Sequence, residues 1–154
     1  MSARHNAAFE LVRLEHDSVV SGLALLSKSK KSGAPGNPNF SRDRVEAGIA
    51  SAGDAYALLL IAVGEGFMRE YLVLAGVRIG EEPKLSSLID QSVKQLCDGM
   101  SKQQKRAQRN MIDVPAVHSL RQNRNDYAHG HERNVFPSIG KVESILGKFF
   151  GPFP

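Results

Sequence analysis

The sequence predicts an all-α fold, a bundle of four main helices with a short fifth. Three observations predict it. Apolar residues recur at alternating steps of three and four, the spacing that lines one face of a helix. No stretch shows the period of two that a half-buried strand requires. No segment repeats along the 154 residues. A chain of this length reads as a single domain, 1–154, able to bury roughly 68–70% of its unfolded surface.

The first helix carries Val12, His16, Val19, Leu23 and Leu26 along one seam. It ends in SKSKKSGAPGNPNF, a stretch rich in Gly, Pro, Ser and Lys whose composition predicts a mobile loop over residues 27–41. Ser41 is a suitable cap for the second helix, in which Val45, Ile49, Ala52, Tyr56, Leu59, Val63, Phe67, Tyr71 and Leu74 continue the pattern. Leu58, Leu60, Ile61 and Leu72 occupy its other faces, so this helix is expected at the buried centre. Its interior glycines 48, 53, 64 and 66 each cost up to ~1 kcal/mol relative to alanine, which suits close packing or a bend. Gly76, Gly80 and Pro83 end it. A third helix over 84–97 places Leu85, Leu88, Ile89, Val93 and Leu96 on one face. The polar SKQQKRAQRN stretch is too poor in apolar residues for core, and reads as a loop or an exposed helix extension. Asp113 and Pro115 open a fourth helix with Val117 and Leu120, and Gly130 stops it. A last helix over 138–150 precedes the apolar tail 151–154. Phe149, Phe150 and Phe153 there either pack on the bundle end or contact a partner.

Composition narrows the class. A lone cysteine, Cys97, excludes an internal disulfide, and its place on an apolar face reads as core rather than nucleophile. The longest apolar run, 55–63, is about half of the ~20 residues a membrane span needs. The N-terminal MSARHNAAFELVRLEH has charges where a signal peptide has an apolar block. A soluble cytoplasmic chain with no membrane partner is expected. Twenty Lys and Arg against sixteen Asp and Glu give a net charge of +4, which permits a nucleic-acid partner without requiring one.

One stretch concentrates chemistry: RQNRNDYAHGH, residues 121–131. On a helix Arg124 falls within about 20–40° of Val117, Leu120 and Ala128. An always-charged guanidinium on an apolar face calls for an anionic or polar partner. His118, Gln122, Asn125 and His129 form a separate polar stripe. Arg124 and His129 are five residues apart, about 140° around the axis. They reach one small group only if the helix unwinds at Gly130 or a second copy of the chain completes the site.

RNDYAHG, residues 124–130 late in an all-α chain, resembles the signature of the HEPN superfamily: an arginine, usually a polar residue next, then a histidine after four to six positions. The long apolar second helix with its acidic GEGFMREYL stretch is similar to the same pattern. The resemblance spans about residues 5–150, and its sharp part is seven residues. It implies an HEPN-like bundle and a metal-independent endoribonuclease without cofactor. It further implies a homodimer whose motif helices face each other, in a bacterial toxin, antiviral or stress setting with an antitoxin or regulatory protein as a further partner. It also allows a member that has lost activity and serves as a binding module. Carried over residue by residue, Arg124 and His129 become catalytic, with Asn125 assisting. His131, seven positions after Arg124, also fits the allowed spacing, and His129 is favoured because histidine followed by glycine is the family's commoner form.

The chemistry suits these residue types. An imidazole with pKa near ~6.5 exchanges protons near neutrality. A guanidinium gives a phosphate a planar fork of donors and never loses its charge. Competing readings accompany each residue. Arg124 pairs with Glu65 or Glu70 of the second helix in a purely structural role, or one of Glu65, Glu70 and Asp54 orients the motif. Lys102, Lys105, Arg106, Arg109 and Arg121 either contact an RNA backbone or form a solvated face. Lys28, Lys30 and Lys31 are weaker RNA contacts. Tyr127 packs on the second helix, with its hydroxyl near the site as a further option. His129 and His131 with Asp126 make a weak metal-binding pattern.

Overall fold

A computed structural model describes residues 3–29, 42–129 and 136–154. Among these residues there are six α-helices and no strand: α1 (Ala3–Ser29), α2 (Arg42–Leu74), α3 (Leu85–Leu96), α4 (Lys102–Met111), α5 (Val114–Ala128) and α6 (Ile139–Phe150). The all-helical class holds, and the count rises by one. Lys30, Lys31, Ser41, Gly130 and His131, with most of the expected loop over 27–41, lie outside the described residues; 27–29 continue α1.

The additional helix is α4, where a loop or helix extension was expected. Its low apolar content correctly keeps it out of the core. It still forms a helix because Ser101 caps it reciprocally with Gln104. The Ser101 Oγ accepts from the Gln104 N–H at 3.4 Å, and the Gln104 Oε1 accepts from the Ser101 N–H at 2.9 Å.

Helix α2 packs along α1, α3 and α6, while α5 packs on α3 and α6. The deepest stripe of α2 differs from the expected one. Ala57, Leu60, Ile61, Phe67, Met68 and Leu72 are buried, whereas Leu59 and Leu74 of the expected seam face outward, Leu74 at 80% exposure. Both stripes have helical spacing, and the neighbouring helices select between them. In α1 likewise Val12 is buried but Val19 and Leu26 are exposed. Of the α2 glycines, Gly64 lies under close packing: a Cβ there would stand 3.1 Å from the Phe150 Cε2. Gly53 and Gly66 have nothing within 4 Å at that position, so close packing does not account for them.

The tail closes the bundle. Phe67, Phe149, Phe150 and Phe153 are all buried. Phe67 meets Phe150 edge-on at 4.7 Å, and Tyr71 meets Phe153 at 5.0 Å. Each such ring taken from water contributes roughly 1.5–3 kcal/mol. The tail therefore packs on the bundle end, one of its two expected roles. Cys97 is buried at the C-terminus of α3, as a core residue should be.

Counting uninterrupted apolar runs understated α2. Residues 43–74 are long and apolar enough to cross a membrane, with mean hydropathy 1.6 over the best 18-residue window. An average tolerates the isolated Glu65, whereas a run does not. Only 22% of that window is buried in the bundle.

Candidate functional site

The site is built on α5, and the start of that helix is specified residue by residue. Asp113 adopts the left-handed conformation, φ 47° and ψ 55°. Its Oδ1 accepts from the Ala116 N–H at 3.4 Å, and Pro115 occupies the first turn, where its missing N–H removes no helical bond. Val117 and Leu120 are the buried residues of α5 and fix its rotation against the core. The helix stays regular to Ala128, with the His129 N–H still donating to the Asn125 carbonyl at 3.0 Å.

Arg124 lies on the side of α5 facing α2. Its Nη2 stands 3.7 Å from the Glu65 Oε2, at the long end of an ion pair. The other Glu65 oxygen accepts a 2.8 Å bond from Arg69 Nη2. Glu65 is thus firmly held by Arg69 and only loosely engaged by Arg124. The expectation of a guanidinium on a buried face is corrected, since the Arg124 side chain is 40% exposed. Beyond Leu120 the helix runs past the edge of the core, and Tyr127, Ala128 and His129 are all exposed.

Arg124 opens on a cavity of about 310 Å³, lined also by Glu65, Lys84, Ser86, Arg121 and Asn125. Three cations face one carboxylate there. The Arg121 Nε is fully buried and has no hydrogen-bond partner among the described residues. Arg124, Asn125, Arg121 and Glu65, named from the sequence in different roles, all line this cavity. His129 stays outside the cavity lining, as a five-residue separation on one regular helix requires. Lys84 and Ser86 were not singled out by sequence. The available signal was a lysine after Pro83, at a helix start where a capping side chain is usual.

The rest of the polar stripe is engaged within the chain. His118 Nε2 lies 3.2 Å from the Asp90 Oδ1, and the Gln122 amide donates to the Asp126 Oδ1 at 2.7 Å. Tyr127 is 39% exposed. Its ring meets Phe136, just ahead of α6, edge-on at 5.5 Å.

Lys102, Lys105, Arg106 and Arg109 occupy positions i, i+3, i+4 and i+7 of α4, a single exposed stripe. With Met100 and Asn110 they line an open cavity of about 480 Å³. Among the described residues α4 has none buried. Comparison of the chain with models of protein families, with curated proteins and with solved structures finds no match.

Proposed function

We propose that the chain is a soluble, cytoplasmic, metal-independent endoribonuclease of HEPN-like type, acting as a homodimer. The observation that carries this reading is the combination on α5 of an accessible Arg124 guanidinium, loosely held at 3.7 Å by Glu65, with an exposed His129 one turn further on. In the proposed reaction the 2′-hydroxyl yields its proton to one His129 imidazole as O2′ bonds to phosphorus. The bond from phosphorus to O5′ breaks, and the leaving oxygen takes a proton from the His129 of the second copy. Arg124 stabilises the extra negative charge on the five-coordinate phosphate. The products are a 2′,3′-cyclic phosphate and a 5′-hydroxyl end. Asn125 holds the substrate or an imidazole through its amide.

Pairing of two copies is favoured over unwinding within one, because α5 keeps its helical bond as far as His129. The exposed apolar side chains Leu11, Leu14 and Leu25 of α1 and Leu59 and Val73 of α2 supply surface for such pairing. The basic stripe of α4 supports contact with an RNA backbone. A toxin, antiviral or stress role with an antitoxin or regulatory partner follows from the resemblance alone. The contact between Arg124 and Glu65 favours a second reading, a non-catalytic module in which this pair only tethers α5 to α2.

Incubating the purified protein with total or transfer RNA in EDTA, alongside H129A, separates the two. Cleavage that survives the chelator, leaves cyclic phosphate ends and is lost in the variant supports the enzyme. Intact RNA, or equal cleavage by the variant, contradicts it.

A further inference from the structure

Helix α4 has 10 residues, fewer than the ~12–15 below which an isolated helix is marginal in water. Among the described residues it buries none of its own, so packing contributes little to it. Its stripe of Lys102, Lys105, Arg106 and Arg109 sets like charges side by side at i, i+3 and i, i+4, which disfavours the helix further. No acidic residue lies on α4 to offset them. Among the described residues none of these four cations meets a carboxylate at ion-pair distance, whereas Arg13 and Arg69 each hold one at 2.8 Å. Such a helix gains when a polyanion lies along it. The stripe also leads beyond α4. Arg109 and Asn110 line a second cavity, of about 590 Å³, together with Lys94 of α3 and His118 of α5. His118 heads the polar stripe of α5 that ends at His129, about 16 Å further along the axis.

We propose that α4 seats the phosphate backbone of a double-helical RNA stem, and that a strand leaving the stem follows the polar stripe of α5 to His129. From Lys102 to Arg109 the cations extend about 10 Å, the length of about three successive phosphates of one strand. A single strand is held by stacking its bases on aromatic rings, and among the described residues no aromatic side chain lines either cavity. An acidic peptide helix lays an apolar face on its partner, and the positions of α4 that would receive it are all cations. A duplex needs neither ring nor apolar seat, because phosphate contacts alone hold it. In A-form RNA the phosphates of both strands flank a deep, narrow major groove that one row of cations bridges. The wider groove of B-form DNA holds them further apart. Neutralising the stripe removes the repulsion within α4, so binding and helix order reinforce each other. The choice of RNA and the path to His129 rest on the nuclease reading. The seating of a duplex rests on α4 and is measured where no strand can be cut.

The test is fluorescence anisotropy and amide hydrogen exchange of the full chain with four probes: a 2′-O-methyl RNA duplex, one of its strands alone, a DNA duplex of the same sequence, and a polyglutamate peptide. The expected result is saturable binding of the RNA duplex, at least tenfold tighter than of the strand or the peptide and at least threefold tighter than of the DNA. Log K against log salt falls with a slope of about −3 to −4, as four phosphate contacts require. Exchange in α4 slows on binding. Lys105→Glu weakens binding at least tenfold. The same substitution slows exchange in α4 of the free protein, because its carboxylate pairs with Arg109 at i, i+4. Those opposite effects exclude unfolding as the cause. Lys141→Glu, the same charge change at an exposed position of α6, alters neither. Equal or tighter binding of the strand, the DNA or the peptide, a slope near zero, or binding indifferent to Lys105→Glu overturns the proposal. On an unmodified RNA hairpin with a flanking strand, cuts fall about five nucleotides from the stem, which matches the distance to His129. Cuts within the stem, or spread evenly along the strand, overturn the path. Duplex binding without any cleavage leaves the seating on α4 standing while the nuclease reading falls. Cleavage that requires His129 but ignores Lys105→Glu does the reverse.

Discussion

Gly64 and Gly66 sit two residues apart on α2, and opposite outcomes are expected when each becomes alanine. At Gly64 the new Cβ meets the Phe150 ring at 3.1 and 3.3 Å. That ring is wholly buried, with Phe67 at 4.7 Å and Phe149 at 5.0 Å, and has nowhere to retreat. Overpacking outweighs the gain in helix propensity, and G64A should lose about 1 kcal/mol in urea unfolding. At Gly66 nothing lies within 4 Å, so G66A should gain up to ~1 kcal/mol. Arg124 behaves differently again. As a 40% exposed partner in a 3.7 Å pair it adds little to stability, so R124A should change unfolding free energy by less than ~1 kcal/mol. Under the proposed function the same variant loses at least ~100-fold in RNA cleavage. The glycines were visible in the sequence as costly helix residues. Which of them lay under another helix was not, because that depends on where Phe150 comes to rest.

Helix α4 gives the clearest element-scale expectation. Its start is specified by the capping box of Ser101 and Gln104, and none of its residues is buried among the described ones. S101A should weaken that start by about 1 kcal/mol. Amide exchange should then accelerate about fivefold in α4 while the core amides of α2 and α3 stay unchanged. Equal acceleration in α2 would mean that α4 is part of the cooperative core. The sequence concealed this helix because apolar periodicity was the signal sought, and in α4 the period is carried by Lys102, Lys105, Arg106 and Arg109. The opposite difficulty arose in α1 and α2, which have more apolar residues than one face can bury. Several stripes then fit a helical repeat, and Leu59 and Leu74 fell on the wrong one. Where apolar residues were just sufficient, as in α3, the face was read correctly, with Leu85, Leu88, Ile89 and Val93 all buried.

The aromatic closure couples distant parts of the whole molecule and gives it a pH signature. Burial, reinforced by the nearby Cys97, raises the pKa of Tyr71 above the ordinary phenol value. The folded state therefore holds this proton longer than the unfolded chain does. The resulting stability is fully present below about pH 10, the unfolded value, and is lost as the pH rises through the higher folded value. Urea unfolding of Y71F should fall less steeply above pH 10 than that of the wild type. Parallel curves would show that the hydroxyl is solvated in the folded state.

The candidate site was legible in part at this scale. RNDYAHG stood out by residue type, and Arg124 with Glu65 was an expected pair. Lys84 and Ser86 were hidden because α3 and α5 meet only in the fold. The spacing of Arg124 and His129 already implied that one helix cannot aim both at the same phosphate, and α5 stays regular through Ala128. The central claim is that Arg124 of one copy and His129 of another serve one phosphate. Mixing the wild type with an excess of H129A under subunit exchange tests it most directly, since each mixed dimer keeps only one of the two imidazoles that the reaction uses. RNA cleavage per wild-type chain should fall at least ~100-fold as mixed dimers replace wild-type ones; unchanged cleavage in a fully exchanged mixture would contradict the claim.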